Sequence, residues 1–423
     1  MTEEFLYYIW QNRLFNRPLS TTEGLPVEVL FAGERNRDSG PDFLYARIRI
    51  DKTEWAGNVE IHLKTSDWFK HRHHFDKAYE NVILHVVYED DGENEKLSMP
   101  VLEIKDFFDH HVYENYLWLM NSGHTIPCQP LLERLATLDH FLWLDRLMTD
   151  RLMERTKIIM TELKDKGVGL NEIFYRKLAR SFGFKVNGEP FELLASSLPL
   201  TLIQKYADSL FQLEALLFGN SGLLTGTLKD EYLRQLKQEY TFLKQKHHLK
   251  TLDPSLWKFM RMRPVNFPTI RIAQFSALIH SLGGQVSKLT EVEKLASLKG
   301  LLKVKASSYW NDHYRMQVFS KGKEKVLGEA SVNLLLINAV IPFIFIYGKL
   351  YGKNDLVDRA LAWLEQLPPE KNRITEMYHK LGFPLINAMN SQALLYLKKY
   401  YCDNKNCLRC ALGNKLLRAV GNN

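Results

Sequence analysis

Gly40-Pro41-Asp42 is followed, after 14 intervening residues, by Gly57-Asn58-Val59-Glu60-Ile61-His62-Leu63-Lys64. In the second segment Val59, Ile61 and Leu63 alternate with Glu60, His62 and Lys64, the period of two that marks a strand with one buried face. Three ionisable groups therefore share a face. A carboxylate at the start of one strand, with Glu-x-basic on the next strand of a hairpin, can hold a divalent ion between Asp42 and Glu60. His62 or Lys64 then lies beside the water that the ion activates. The plainer alternative is a solvated strand face on an ordinary antiparallel sheet.

The flanking sequence supplies further elements. Residues 2–15 read as an amphipathic helix with Phe5, Ile9, Trp10 and Leu14 on one side, closed by Pro18. Residues 27–31, 43–50, 54–64 and 82–89 read as strands, the last a Val, Ile, Leu and Tyr run typical of a buried one. Between the last two strands, residues 66–80 are long enough for a helix. Pro41-Asp42, a spacer and Glu60-x-His62 resemble the core motif of the PD-(D/E)XK nuclease superfamily, with His62 where that family usually has lysine. The resemblance covers about the first 120 residues. It implies a restriction-endonuclease-like mixed sheet flanked by helices, and Mg²⁺ or Mn²⁺ at Asp42 and Glu60. It also implies that His62, or Lys64 two residues on, orients water, and an upstream carboxylate is often present, for which Glu34 and Glu4 are candidates.

With 423 residues, 45% of them apolar and 25% charged, the chain has room for two or more cores. No charged-then-apolar leader precedes a cleavage site, which points to a cytoplasmic protein. The most apolar stretch, residues 332–347, is interrupted by Asn333, Asn338 and Pro342 and is too short to span a bilayer, so it reads as a core helix broken at the proline. Charge is uneven. Residues 1–125 hold 13 Lys or Arg and 22 Asp or Glu, a net of −9, and the whole-chain +7 leaves +16 on residues 126–423. An acidic region with a metal-type constellation beside a basic region suits a polyanionic partner, DNA above all, unless the basic excess is scattered over solvated helix faces.

Gly123, Pro127 and Pro130 place a domain boundary near residue 125, and residues 126–423 read as a large, nearly all-helical region. The fold class is α+β. Helices are expected at residues 138–160, 170–181, 202–217, 231–246 and 270–282, with no fixed-period repeat. Around residues 261–274, Arg261, Arg263 and Arg271 gather at a proline-delimited helix start, where free N–H groups favour a phosphate. Pairing with acidic groups is the competing role for these arginines.

Eight of the 14 histidines precede residue 125, so a centre of His62, His71, His74 and His85 for Zn, Mn or Fe rivals the carboxylate site. His85, inside a buried-looking strand, reads better as a hydrogen-bonded core residue. Three of the four cysteines cluster as Cys402-x4-Cys407-x2-Cys410, and Cys128 can supply a fourth thiolate through the fold. One distant cysteine with three near the C-terminus is similar to the iron–sulfur nucleases of the same superfamily, which implies zinc or an iron–sulfur cluster, with unliganded structural cysteines as the alternative. The chain as a whole also resembles an uncharacterised bacterial family of unknown function. The leading expectation is a metal-dependent DNA nuclease, against a non-catalytic nucleic-acid-binding or repair accessory protein, or a metalloprotein of other role.

Overall fold

Residues 1–419 are described by a computed structural model. The chain divides into two compact units: residues 1–140 together with the segment from Leu397, and residues 141–396. This departs from the boundary expected near residue 125. The C-terminal helix Ala411–Arg418 buries Leu412, Leu416 and Leu417 and hydrogen-bonds back to Asn115, so the segment after Leu397 completes the first unit.

The first unit is built on a seven-stranded mixed sheet. Helix α1 (Glu3–Gln11) is capped by the Thr2 hydroxyl, carries Glu3 and Glu4 in its first turn, and buries Phe5, Leu6, Ile9 and Trp10. It stops four residues short of the expected end, because Arg13 turns into the left-handed region at φ 51°. Strands β1 (Leu19–Ser20), β2 (Pro26–Phe31), β3 (Glu34–Arg35), β4 (Phe43–Ile50), β5 (Thr53–Lys64), β6 (Val82–Glu89) and β7 (Val101–Glu103) follow. The order is β1-β2-β4-β5-β6-β7, with β3 paired to β4; β2, β4 and β5 run antiparallel, whereas β5, β6 and β7 run parallel.

β5 changes character along its length. Its first four residues are exposed and pair only with β4, whereas Val59, Glu60, Ile61 and His62 are all buried between β4 and β6. The switch falls at Gly57, where a Cβ would lie 2.4 Å from Ile83 Cγ2 and 2.7 Å from the Asn81 carbonyl. A side chain there would push β6 off the sheet. The alternation of residues 59–64 thus marks a strand covered on both faces, not a half-solvated one, and its polar residues must find partners inside.

The expected helix over residues 66–80 is broken into one α turn, α2 (Asp67–Lys70), and two 3-10 turns, His73–Phe75 and Lys77–Tyr79. Arg72, left-handed at φ 60°, ends the first turn, and the Asp76 carboxylate caps the last. Helix α3 (His110–Asn121) closes the N-terminal part of the unit.

The second unit is helical, with a small hairpin at His313–Arg315 and Val318–Phe319. The run expected as one helix over residues 202–217 is two, Leu200–Lys205 and Leu210–Asn220, the second capped by Ser209. The apolar stretch is not broken at Pro342. A π turn, Leu336–Val340, carries Glu329–Leu335 into Ile341–Tyr351 and places the proline at the start of the following α turn, where its missing N–H is harmless. This 23-residue helix is long and apolar enough to cross a membrane, but 72% of its most apolar window is buried within the protein, as in a core helix.

The unit also buries Glu214, whose Oε2 accepts from Tyr232 and, at 3.0 Å, from Ser307. Burial pushes this carboxyl from 4.5 up to about 7. The folded state then holds a proton that the unfolded chain has released, so stability falls as pH rises from 4.5 to 7 and levels off above. The drop is about 3 kcal/mol. Denaturant unfolding at pH 5 and 7.5 should show a loss smaller in Glu214→Gln than in the parent by about that amount, other buried groups contributing equally to both; equal losses in both would refute the assignment.

Candidate metal centre

Antiparallel pairing of Phe43 with Val59 sets Asp42, one residue before β4, opposite Glu60. The contact is reciprocal. The Asp42 N–H donates to Glu60 Oε2 at 2.9 Å, and the Ile61 N–H donates to Asp42 Oδ2 at 3.1 Å. On the other side of β5, parallel register sets His85 beside Glu60. Asp42 and Glu60 therefore lie together at the sheet centre, and His62, two residues on, shares their face.

Lys64 does not join them. It lies at the exposed end of β5, where its charge is felt by Glu89 and Asp91, so the lysine alternative to His62 is not borne out by the geometry. The cation present is Arg35, from β3. Its guanidinium donates to the Asp42 carbonyl at 2.8 Å and to Asp42 Oδ1 at 2.9 Å, and packs 3.8 Å from the Tyr7 ring. Of the upstream carboxylates, Glu3 rather than Glu34 or Glu4 lies within electrostatic reach of Asp42 and Glu60. Glu3 and Tyr7 sit one turn apart on α1, and burial first, then the charge of Asp42 and less strongly that of Glu3, raise the Glu60 carboxyl. Glu4 instead faces Arg409, and Glu34 is exposed.

The broken segment after α2 brings imidazoles to the same point. His62 Nε2 lies 3.3 Å from Glu60 Oε1, and His73 Nε2 lies 3.4 Å from the same oxygen. His71 Nδ1 is 3.1 Å from His62 Nε2, and the His62 and His73 rings stack with centroids 5.2 Å apart. One ligand nitrogen from each of His62, His71 and His73 lies within 4.8 Å of the others. His73, not His74, completes the trio. His74 is exposed against Phe69 and Phe75. His85 stays outside the trio as a core residue, its Nε2 hydrogen-bonded at 2.9 Å to His62 Nδ1, which orients the His62 ring. Trp68, 3% exposed, packs against His73, Tyr79 and His85 beneath the site.

Burial sets the protonation states. It pushes the Glu60 carboxyl up to about 8, with the Asp42 charge adding to the shift, and it also raises Asp42, against which Arg35 acts. The same desolvation lowers His62 to about 2, His85 to about 3 and His73 to about 4. His62, His73 and His85 are neutral near pH 7, which is the ligating form. The short His62–Glu60 and His73–Glu60 approaches are therefore contacts between neutral groups and not ion pairs. His73 Nε2, though buried, has no hydrogen-bond partner. A cation held by that nitrogen, His62 Nε2, His71 Nδ1 and Glu60 Oε1 would satisfy it. The donor set fits Mn, Zn or Fe better than Mg, which prefers oxygen.

The other expected residues separate. Arg261 and Arg263 are exposed, but Arg271 is buried, donating to Gln274, Asn266 and Ser331 and covering the Phe184 ring. It is a core residue of the second unit and cannot meet a nucleic-acid phosphate, which corrects the expected trio. Cys128, Cys402, Cys407 and Cys410 all belong to the first unit. Burial pushes the thiols of Cys407 and Cys410 up to about 11 and about 12 and raises Cys128 further, which makes them poor nucleophiles.

Fold and site together define an α+β protein with a histidine–carboxylate centre at the middle of a mixed sheet. The chain belongs to the family described as protein of unknown function DUF2851, which matches residues 3–373 and so includes every residue of this centre. No curated protein and no solved structure matches the chain.

Proposed function

We propose that this protein is a divalent-metal-dependent DNA nuclease of the PD-(D/E)XK kind in which His62 stands in place of the lysine and imidazole ligands favour Mn²⁺ over Mg²⁺. The observation that carries the proposal is the convergence of His62, His71 and His73 beside Glu60, which the Asp42 N–H anchors, with the buried His73 Nε2 left without a hydrogen bond. When bound, the ion supplies water activation and neutralises charge on the phosphoryl oxygens. Glu60 and His62 from β5, with His71 and His73, would hold it, and the His85 contact fixes the His62 ring. Arg35 balances Asp42, and His71, on the exposed rim, leaves the site open to water. The second unit carries a net +12 on residues 141–396, and Lys205, His247, His248 and Lys250 line one of its clefts, giving the positive charge a place to converge on a phosphate backbone.

A second reading, a DNA-binding protein without cleavage, is favoured by one feature: Arg35, the cation beside Asp42, is already committed to that carboxylate. One experiment separates the two. The protein, incubated with single-stranded, duplex and branched DNA in Mn²⁺ and in Mg²⁺, is expected to cleave at least one substrate, faster in Mn²⁺. Salt-dependent binding without cleavage would support the second reading. On duplex, the binding slope should flatten by about 0.9 for each of Lys205 and Lys250 replaced by alanine, and an unchanged slope would remove that cleft from the DNA path.

A further inference from the structure

The second unit buries two cations, Arg271 and Lys325, each 4% exposed. Among the described residues neither has a carboxylate partner. Lys325 Nζ donates to two carbonyls, those of Asn311 and Lys323, at 2.9 Å each. Arg271 donates to neutral groups: Nη1 to Gln274 Oε1 at 2.9 Å, and Nη2 to Asn266 Oδ1 at 2.6 Å and to Ser331 Oγ at 3.0 Å. Those bonds use three of the five guanidinium N–H groups, and Nε, though buried, has no hydrogen-bond partner. Gln274 joins the two cations, since its Nε2 donates to the Lys325 carbonyl at 2.9 Å. Burial alone lowers the Arg271 guanidinium to about 10, so it is charged at neutral pH.

The surroundings add positive potential where a buried cation calls for a counter-charge. Arg271 lies in the first turn of the helix Pro268–Ser281, and Ser331 in the first turn of Glu329–Leu335, which opens the 23-residue core helix. Phe267 and Gly328 precede these helices, and neither supplies a side-chain cap. A helix start carries partial positive charge and unpaired N–H groups, and it disfavours a cation in its first turn. The Pro268–Ser281 start has no acidic residue in that turn, and the other has Glu329, which is exposed. Asn266, Ser331 and Phe184, whose ring covers the guanidinium at 4.6 Å, are half-buried. The charge therefore lies one side chain below the surface, too deep for a nucleic-acid backbone but within reach of a small ion.

We propose that Arg271, with Asn266 and Ser331, forms a binding site for a small oxyanion, either free phosphate or a short carboxylic acid, where two helix starts meet. The anion accepts from the Arg271 Nε–H and balances the guanidinium charge. Ser331 Oγ and Asn266 Oδ1 accept from Arg271, which leaves the serine hydroxyl proton and the asparagine amide to donate to the anion. Helix starts favour an anion by the same N–H groups that disfavour a cation. The site is separate from the histidine centre and does not depend on the nuclease reading.

The test is calorimetric anion binding to the full-length protein, dialysed into phosphate-free chloride buffer with EDTA to strip the histidine centre. Lys205→Ala and Lys250→Ala are present throughout to silence the basic cleft. Inorganic phosphate and acetate are titrated separately at constant ionic strength, and the ion that binds tells a tetrahedral oxyanion from a planar one. About one ion per chain with a Kd below about 1 mM is expected. Adding Arg271→Gln should weaken binding at least about tenfold, as for loss of a charge-assisted hydrogen bond. Arg271→Lys keeps the charge without the planar fork and should fall between the two. Binding of neither ion, or equal binding with Arg271→Gln, would overturn the proposal. Should Arg271→Gln not fold, Ser331→Ala carries the test: binding about threefold to tenfold weaker is expected, and unchanged affinity would equally overturn it.

Discussion

Glu60→Ala is expected to lower Mn²⁺-dependent DNA cleavage on the order of a thousandfold while leaving DNA binding within about threefold of the parent. Among the described residues Glu60 is the one carboxylate in contact with both His62 and His73, so its loss removes a ligand and the charge that balances the ion. Its loss should not unfold the unit. A carboxyl that burial holds near 8 contributes no ion-pair stability at neutral pH, and what disappears is one acceptor for the Asp42 N–H, worth about 1 kcal/mol. Glu60→Gln keeps that acceptor and isolates the effect of charge. Steady-state cleavage rates with circular dichroism melting curves measure both sides of this expectation. A variant that keeps more than about a tenth of parent activity would remove Glu60 from the chemistry.

Trp68→Ala should destabilise the first unit by about 3–5 kcal/mol, the usual cost of deleting a buried indole. Its functional effect follows from what the ring touches. Trp68 lies against His73, Tyr79 and His85, and Arg72 already holds the segment in a left-handed turn that the surrounding contacts must stabilise. Without the indole the His73–Phe75 turn has no floor, and Mn²⁺ affinity should fall at least about tenfold, as for loss of a residue that orients a ligand. Trp68→Phe should recover much of both. Calorimetric metal titration on Trp68→Ala, at a temperature where it is still folded, separates the two effects: parent-like affinity would show that the histidines are positioned without it.

The strands were legible because their pattern is local. Residues 43–50 and 82–89 alternate or run apolar over the lengths they occupy in the sheet. Asp42 and Glu60 were legible for a related reason, since a hairpin register needs only the two strands and the turn between them. Glu3, Tyr7 and Arg35 were not, because they reach Asp42 from α1 and β3, and no spacing rule connects a helix face to a strand end across the core. The i, i+4 pairing of Glu3 with Tyr7 on the helix was the available signal. The choice of His73 over His74 depends on a left-handed residue at Arg72, a non-glycine position that sequence does not mark. The return of the segment after Leu397 to the first unit depends on tertiary packing of Leu412, Leu416 and Leu417, which no local pattern marks.

The central claim is that Glu60, His62, His71 and His73 hold a divalent cation. Anomalous diffraction from crystals grown or soaked in Mn²⁺, recorded on both sides of the manganese edge, tests it most directly. The account predicts a manganese peak about 2.0–2.4 Å from His62 Nε2, His71 Nδ1, His73 Nε2 and Glu60 Oε1, lost in Glu60→Ala crystals treated alike. An ordered site with no peak there at millimolar Mn²⁺, or a peak held by other residues alone, would contradict it.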